Sequence, residues 1–314
     1  MKWTELIRHA CGPRPLTKYN KAVLELFFAA VIWGASFTLV RWGLEDFSTS
    51  SLLFWRFVLA FFIGEIGFRL IKPQEFKKSW SDAKLSLWAG LFLGASLCLQ
   101  SYGLNFTTAT NSGFITSLYV ILIPIISAVL FRSRVKWRHL LFGALAFLGM
   151  GFLLDLKSIT IAQGEILTFG AAITAALQII SIGRVADRAQ SAFRFNNYQT
   201  FWSCVILIPF LIYEITAKGL PLWPEQVHFK PVASIVALSL SVSIFAFFLQ
   251  VRAQQILNTT VSSMLCLLEG PFAFFFGALF LGERLSLFQG FGAFLILLSC
   301  ALSVYFDRPQ YGNH

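Results

Sequence analysis

The chain has 314 residues, of which 57% are apolar and 13% charged. Water-soluble domains carry about 45–50% apolar and about 25% charged residues, so lipid must be the solvent for much of this surface. The net charge of +10 would suggest nucleic acid in a soluble protein. Here the basic residues sit between apolar runs, where membrane orientation accounts for them, and no nucleic-acid partner is expected.

A segment over 1–21, broken by Gly12-Pro13 and Pro15, leads into the first apolar stretch and has no small-residue cleavage site before Trp33. Ten apolar stretches follow, at 22–42, 51–71, 85–105, 110–131, 138–155, 163–183, 197–216, 232–253, 259–281 and 286–306. Each is close to the ~20 residues that a helix needs to cross ~30 Å of hydrocarbon. Period-2 alternation is missing, which argues against a β-barrel. The expected fold is therefore an all-α integral membrane protein of ten transmembrane helices. The connections are short; the longest, near 217–231, holds Pro221, Pro224 and Pro231. A tail over 307–314 closes the chain.

Orientation follows from the loop charges. With the N-terminus inside, 19 Lys and Arg fall in inside segments, Arg184, Arg188, Arg194 and Arg252 among them. The outside segments hold Arg41, Lys157, Lys218, Lys230 and Arg284, while Arg56 lies within helix 2. Both termini are expected to be cytoplasmic, in a bacterial-type inner membrane.

The halves resemble one another. A shift of 147 residues lays Pro124 on Pro271 and Gly143 on Gly290; a shift of 150 lays Leu99-Gln100 on Leu249-Gln250. The difference would be a short insertion near helix 4. Repeats over 22–155 and 156–306, each of five helices, must face opposite ways because five is odd. Inverted repeats place a binding site at the midplane and permit alternating access.

Intramembrane polar groups are costly, so they face a cavity, pair, or lie near an interface. Gln100 and Gln250 occupy equivalent places in helices 3 and 8 and could bind a carboxylate or ammonium group, or join helices. Trp33, Ser36 and Phe37 fill one turn of helix 1, with Trp33 and Phe37 on one face. Asn111, Phe114 and Ser117 make a second stripe in helix 4, and Thr174 with Gln178 a third in helix 6. Arg56 either snorkels to the outer interface or pairs with a carboxylate. Glu65 lies deeper. Glu269, mid-helix 9, either satisfies backbone freed by a helix break or binds a proton. The cysteines at 98, 204, 266 and 300 read as buried filler without any CxxC, and the four histidines lie at ends or loops. No metal site and no cofactor is expected.

Several motifs carry a resemblance. They are Ala30-Val31-Ile32-Trp33-Gly34-Ala35-Ser36-Phe37, Trp55-Arg56-Phe57, Tyr102-Gly103-Leu104 and Phe248-Leu249-Gln250-Val251-Arg252-Ala253-Gln254. Leu268-Glu269, followed by Leu281-Gly282-Glu283-Arg284-Leu285, is the most specific. In order and spacing these resemble the drug/metabolite transporter superfamily, in its EamA-type ten-helix branch. That family commonly has Pro directly after the helix 9 glutamate. Here Gly270 intervenes before Pro271, so the expected hinge, Gly270-Pro271, moves by one residue.

The resemblance implies a secondary transporter of small organic solutes, with the lipid bilayer and the solute as partners. An amino acid or related metabolite, exported by alternating access, is the leading expectation, with a proton or the solute's own gradient as driving force. A multidrug or nucleotide-sugar carrier is the alternative within transport, and a non-transporting membrane protein the alternative outside it. No HExxH, GxSxG or midplane Asp pair points to an enzyme. The chain is expected as a monomer or homodimer.

Overall fold

A computed structural model describes residues 15–74, 80–103, 105–107, 109–132, 136–154, 162–281 and 286–307. Among them all regular structure is helical. Helix α1 runs Pro15–Gly43 and α2 Thr49–Ile71. The short piece Trp80–Leu85 leads into α3, Leu87–Gly103. Helix α4 comes in two pieces, Ala109–Thr116 and Tyr119–Phe131. Helices α5 (Trp137–Leu153), α6 (Gln163–Val185) and α7 (Ala192–Lys218) follow. Helix α8, Phe229–Gln254, contains a π-helical segment at Leu238–Ala246. Helix α9 is again in two pieces, Thr259–Cys266 and Glu269–Leu281, and α10 is Leu287–Asp307.

Eight of these spans are long and apolar enough to cross a bilayer. Helices α3 and α5 are shorter, at 17 residues each. The ends are set by local chemistry. Ser48 Oγ caps α2 by accepting from the Ser51 amide at 3.3 Å. Asn258 Oδ1 caps α9 by accepting from the Val261 amide at 2.8 Å. Gly219, at φ 65°, ends α7 in the left-handed conformation.

The repeat is visible in the interruptions. The two pieces of α9 have the same lengths as those of α4, 8 and 13 residues, and each begins 150 residues later. Helix α10 also begins 150 residues after α5. The register is therefore 150 through this region. The matches at 147 that join Pro124 to Pro271 and Gly143 to Gly290 pair residues about one helical turn apart, and no insertion falls near helix 4.

Tyr19 Oη donates to Val304 O at 3.1 Å, so the start of α1 lies beside the end of α10. We call this the terminal end of the bundle, and its opposite the distal end. At the distal end the loop 219–228 folds over the start of α2. Trp55 Nε1 donates to Leu222 O at 3.0 Å, and Trp223 packs edge-on against both Phe47 and Trp55. Glycines set the closest helix contacts. A Cβ on Gly34 would sit 2.5 Å from Phe272 Cβ and 2.8 Å from Ala273 N, so α1 and α9 are nearly touching there. Gly90 and Gly94 bring α3 onto α7 in the same way.

Candidate solute site

The helix 9 break is not at Gly270-Pro271. It falls three residues earlier, at Leu267-Leu268, and Glu269 opens the second piece of α9, two residues before Pro271. Pro271 then stands in the first turn of that piece, where its missing N–H would have no intrahelical acceptor. The hinge expected at Gly270-Pro271 is corrected accordingly. Tyr119 holds the matching place in α4, first in the piece that follows the break.

Burial changes abruptly at this point. All eight residues over 261–268 are buried, and none of the eight over 269–276 is. Helix α1 behaves alike: Trp33 and Gly34 are buried, whereas nothing over 35–42 is. A helix lying flat on a bundle would still bury the side that faces it. Two turns without one fully buried residue mean looser cover there than over 261–268, although Phe272 and Phe274 still pack against the core. Glu269 stands at the floor of this less covered region.

Around this floor lie polar atoms with nothing to bind. Trp33 Nε1 and Tyr119 Oη are buried and have no hydrogen-bond partner among the described residues. The Trp33 ring tilts against Phe247 of α8, with centroids 5.3 Å apart. Buried donors and acceptors are normally satisfied, so orphaned ones ask for an explanation.

The expected site residues distribute unevenly. Trp33 is buried, but Phe37 is 58% exposed and does not share its enclosed face. Ser36 Oγ donates back to Trp33 O at 2.8 Å. Gln178 and Gln250 are both buried and meet, the Gln178 Nε2 donating to Gln250 Oε1 at 3.5 Å. Thr174 Oγ1 donates to Gly170 O within α6. Gln100 is half-buried and donates to Thr116 Oγ1 at 3.0 Å. Neither of the two equivalent glutamines bridges the repeats. Phe114 is buried against Phe147, with centroids 4.4 Å apart, and Ser117 Oγ donates to Phe114 O. Asn111 lies in α4, but its side chain is outside the described residues.

Arg56 does not snorkel outward and meets no carboxylate among the described residues. It is 5% exposed, and its Nε donates to Ser243 Oγ of α8 at 2.8 Å. Glu65 pairs with Arg194 instead, and accepts from Asn197 Nδ2 at 3.1 Å. Arg194 was counted with the inside segments; the structure puts it in the first turn of α7, wholly buried. Charge alone made it a loop residue, and its carboxylate partner lies 129 positions away.

Sequence reasoning passed over Tyr119, Ser243 and Asn196. The offset of 150 from Glu269 marks Tyr119. The polar run Asn196, Asn197, Gln199, Thr200 at the head of an apolar helix marks Asn196. Nothing local marks Ser243. A separate groove of about 330 Å³, lined by Tyr102, Pro209, Phe210 and Tyr213, lies toward the distal end and is almost wholly apolar. Lys218 Nζ stands over the Tyr102 and Tyr213 rings at 5.3 and 5.8 Å, and Tyr102 Oη donates to Glu214 Oε1 at 3.2 Å, so charges border its aromatic lining.

Against known proteins, the EamA-like transporter family matches residues 20–154 and again residues 162–305. The chain belongs to the EamA-like transporter family. Two matches in tandem agree with the repeat seen in the helix interruptions. A protein of Archaeoglobus fulgidus described as an uncharacterized transporter is 31% identical to this EamA-like chain over 287 residues, 88% of this chain and 84% of its own length. A solved crystal structure superposes with a TM-score of 0.74 at 15% identity, covering 92% of this chain and 98% of that one. At that identity the likeness speaks for the fold alone. As an EamA-like transporter of the drug/metabolite superfamily the protein is integral to the membrane and handles a small-molecule solute; transport of this kind is not enzymatic catalysis.

Proposed function

We propose that this protein exports a small organic metabolite, an amino acid or a related compound, across a bacterial-type inner membrane by alternating access. The observation that carries the reading is the switch from full burial over 261–268 to none over 269–276, with Glu269 at the boundary. It supports a half-polar chamber that is open toward the distal end and closed beneath the breaks in α4 and α9. Discontinuous helices at the midplane are where inverted-repeat carriers hold their solutes. The terminal end is then cytoplasmic, in keeping with its excess of Lys and Arg.

Glu269 is the proton-binding group in this reading. It is the acidic residue at the chamber floor and makes no hydrogen bond among the described residues, so a proton can come and go without breaking a structural contact. The purified protein in proteoliposomes should show saturable counterflow of radiolabelled amino acids, and an imposed pH gradient should drive it. No saturable flux for any of the twenty amino acids or their keto acids would count against the reading.

A further inference from the structure

We propose that Arg56 is the subsite for a single carboxylate group on the transported solute. The inference deepens the transporter reading and rests on it. The guanidinium is buried in the distal half of α2, seven residues from its start at Thr49, or about 10 Å along the axis. Its Nε is satisfied by Ser243 Oγ at 2.8 Å, while its two terminal nitrogens have no partner among the described residues. No ion pair joins it to a carboxylate among the described residues. The other fully buried arginine, Arg194, is already matched by Glu65.

The surroundings are built to hold this cation still. Ser239 Oγ donates to the Arg56 carbonyl at 2.9 Å, so α8 grips both the backbone and the side chain of Arg56. Both serines lie in the π-helical segment, which also offers carbonyls to α7. Asn196 of α7 takes two of them, its Nδ2 donating to Ser243 O at 2.9 Å and Ile244 O at 3.1 Å. The Asn196 Oδ1 is left buried without a partner. Three helices thus converge on Ser243, with a cation on one side that lies over the Phe57 ring at 5.2 Å and has no counter-ion among the described residues, and an acceptor without a partner among them on the other.

The position fits the chamber. Ser243 and Phe247 are one turn apart on α8, and Phe247 carries the Trp33 ring. Arg56 therefore stands about one turn distal to Trp33, at the level of the stretch of α1 that has no buried residue. A guanidinium held by Nε presents its two terminal N–H groups as a fork, which matches the two oxygens of a carboxylate. One cation balances one negative charge. A phosphate dianion would keep a charge uncompensated, and a diphosphate more, so the geometry favours a monocarboxylate over a phosphorylated solute.

The test uses the full chain in lipid nanodiscs and needs no knowledge of the natural solute. Phenylglyoxal, which adds to accessible guanidinium groups, is applied with sodium propionate, propionamide or sodium phosphate as competitor, and adducts are read by peptide mass spectrometry. Arg56 should be labelled and Arg194 spared. Propionate should lower Arg56 labelling at least about tenfold more than equimolar propionamide, leaving exposed Arg69 unaffected. An unlabelled Arg56, equal protection by acid and amide, no protection by propionate, or stronger protection by phosphate would overturn the proposal. Counterflow with leucine and leucinamide separates it from the parent reading. Protection by propionate without flux of either would overturn transport and leave the subsite, whereas equal flux of both would overturn the subsite and leave transport.

Discussion

The guanidinium of Arg194, on α7, is wholly buried against the carboxylate of Glu65, on α2. The pair joins the two repeats near the terminal end, and Tyr198 and Asn197 bind its two members from the same helix. Removing one partner of a buried pair strands the other charge and typically costs about 3–5 kcal/mol. Glu65→Ala, which leaves the Arg194 charge wholly buried, should therefore lower thermal stability sharply in detergent, by about that amount. The nearby cross-repeat pair of Arg252 with Glu25, at 2.6 Å, is a useful contrast because Arg252 is 39% exposed. Glu25→Ala should cost about 1 kcal/mol or less, since the Arg252 it leaves behind is half-exposed and solvent screens it. Similar losses for both would mean that burial is not what sets the strength of the Glu65 pair.

Gly34 tests the contact between α1 and α9. Its Cβ would meet Phe272 Cβ and the Ala273 backbone, neither of which can swing away. Gly34→Ala should destabilise by about 1–3 kcal/mol, in the range for overpacked interfaces. Gly67→Ala, where a Cβ meets nothing within 4 Å, is the matched control and should be neutral or mildly stabilising. Equal melting temperatures for the two variants would contradict the close approach.

The distal loop should respond to acid. The His228 backbone amide donates to Asp46 Oδ2 at 2.7 Å, and this bond holds the Asp46 carboxyl below its ordinary value of 3.8, with help from the His228 ring. A depressed carboxylate contributes its stabilisation above the unfolded value and loses it as pH falls through the folded one. Amide exchange over 219–228, corrected for its intrinsic pH dependence, should therefore rise in the wild type once the pH drops below 3.8. In Asp46→Ala it should already be raised at neutral pH and change little further. Identical profiles for the two proteins would show that the loop does not depend on Asp46.

Flux should separate structural from coupling roles. Gln250→Ala removes the partner of a buried amide, Gln178, and leaves it unsatisfied. That costs about 1–3 kcal/mol and should slow saturable flux roughly 5- to 100-fold if the bonded pair supports the site, with the protein still monodisperse. Glu269→Gln breaks no hydrogen bond among the described residues. It should preserve exchange between unlabelled and labelled solute while abolishing the response to a pH gradient. A gradient response that survives in Glu269→Gln would remove Glu269 from coupling.

Cysteine or tag accessibility tests the topology directly. Tags at the two chain ends should both react from the cytoplasmic side only, and a cysteine at Glu225 only from the opposite side. Ends that react from opposite faces would be incompatible with an even number of crossings.

Composition and hydropathy alone determined that this chain lives in lipid, in about ten apolar segments, and residue matches such as Gln100 with Gln250 pointed to two halves. Hydrocarbon forces that outcome: every backbone polar group must be satisfied within its own helix, so span length and number are written locally. The family motif was legible for the same reason, as short contiguous strings such as Leu268-Glu269. Partnerships were not. Whether Arg56 meets a carboxylate, a headgroup or Ser243 depends on how helices far apart in sequence come together, and the hydrophobic pattern is silent on which face meets which. The break before Glu269, three residues from where the proline pointed, is likewise decided in three dimensions. There the packing that encloses 261–268 ends, and the backbone is free to stop and start again.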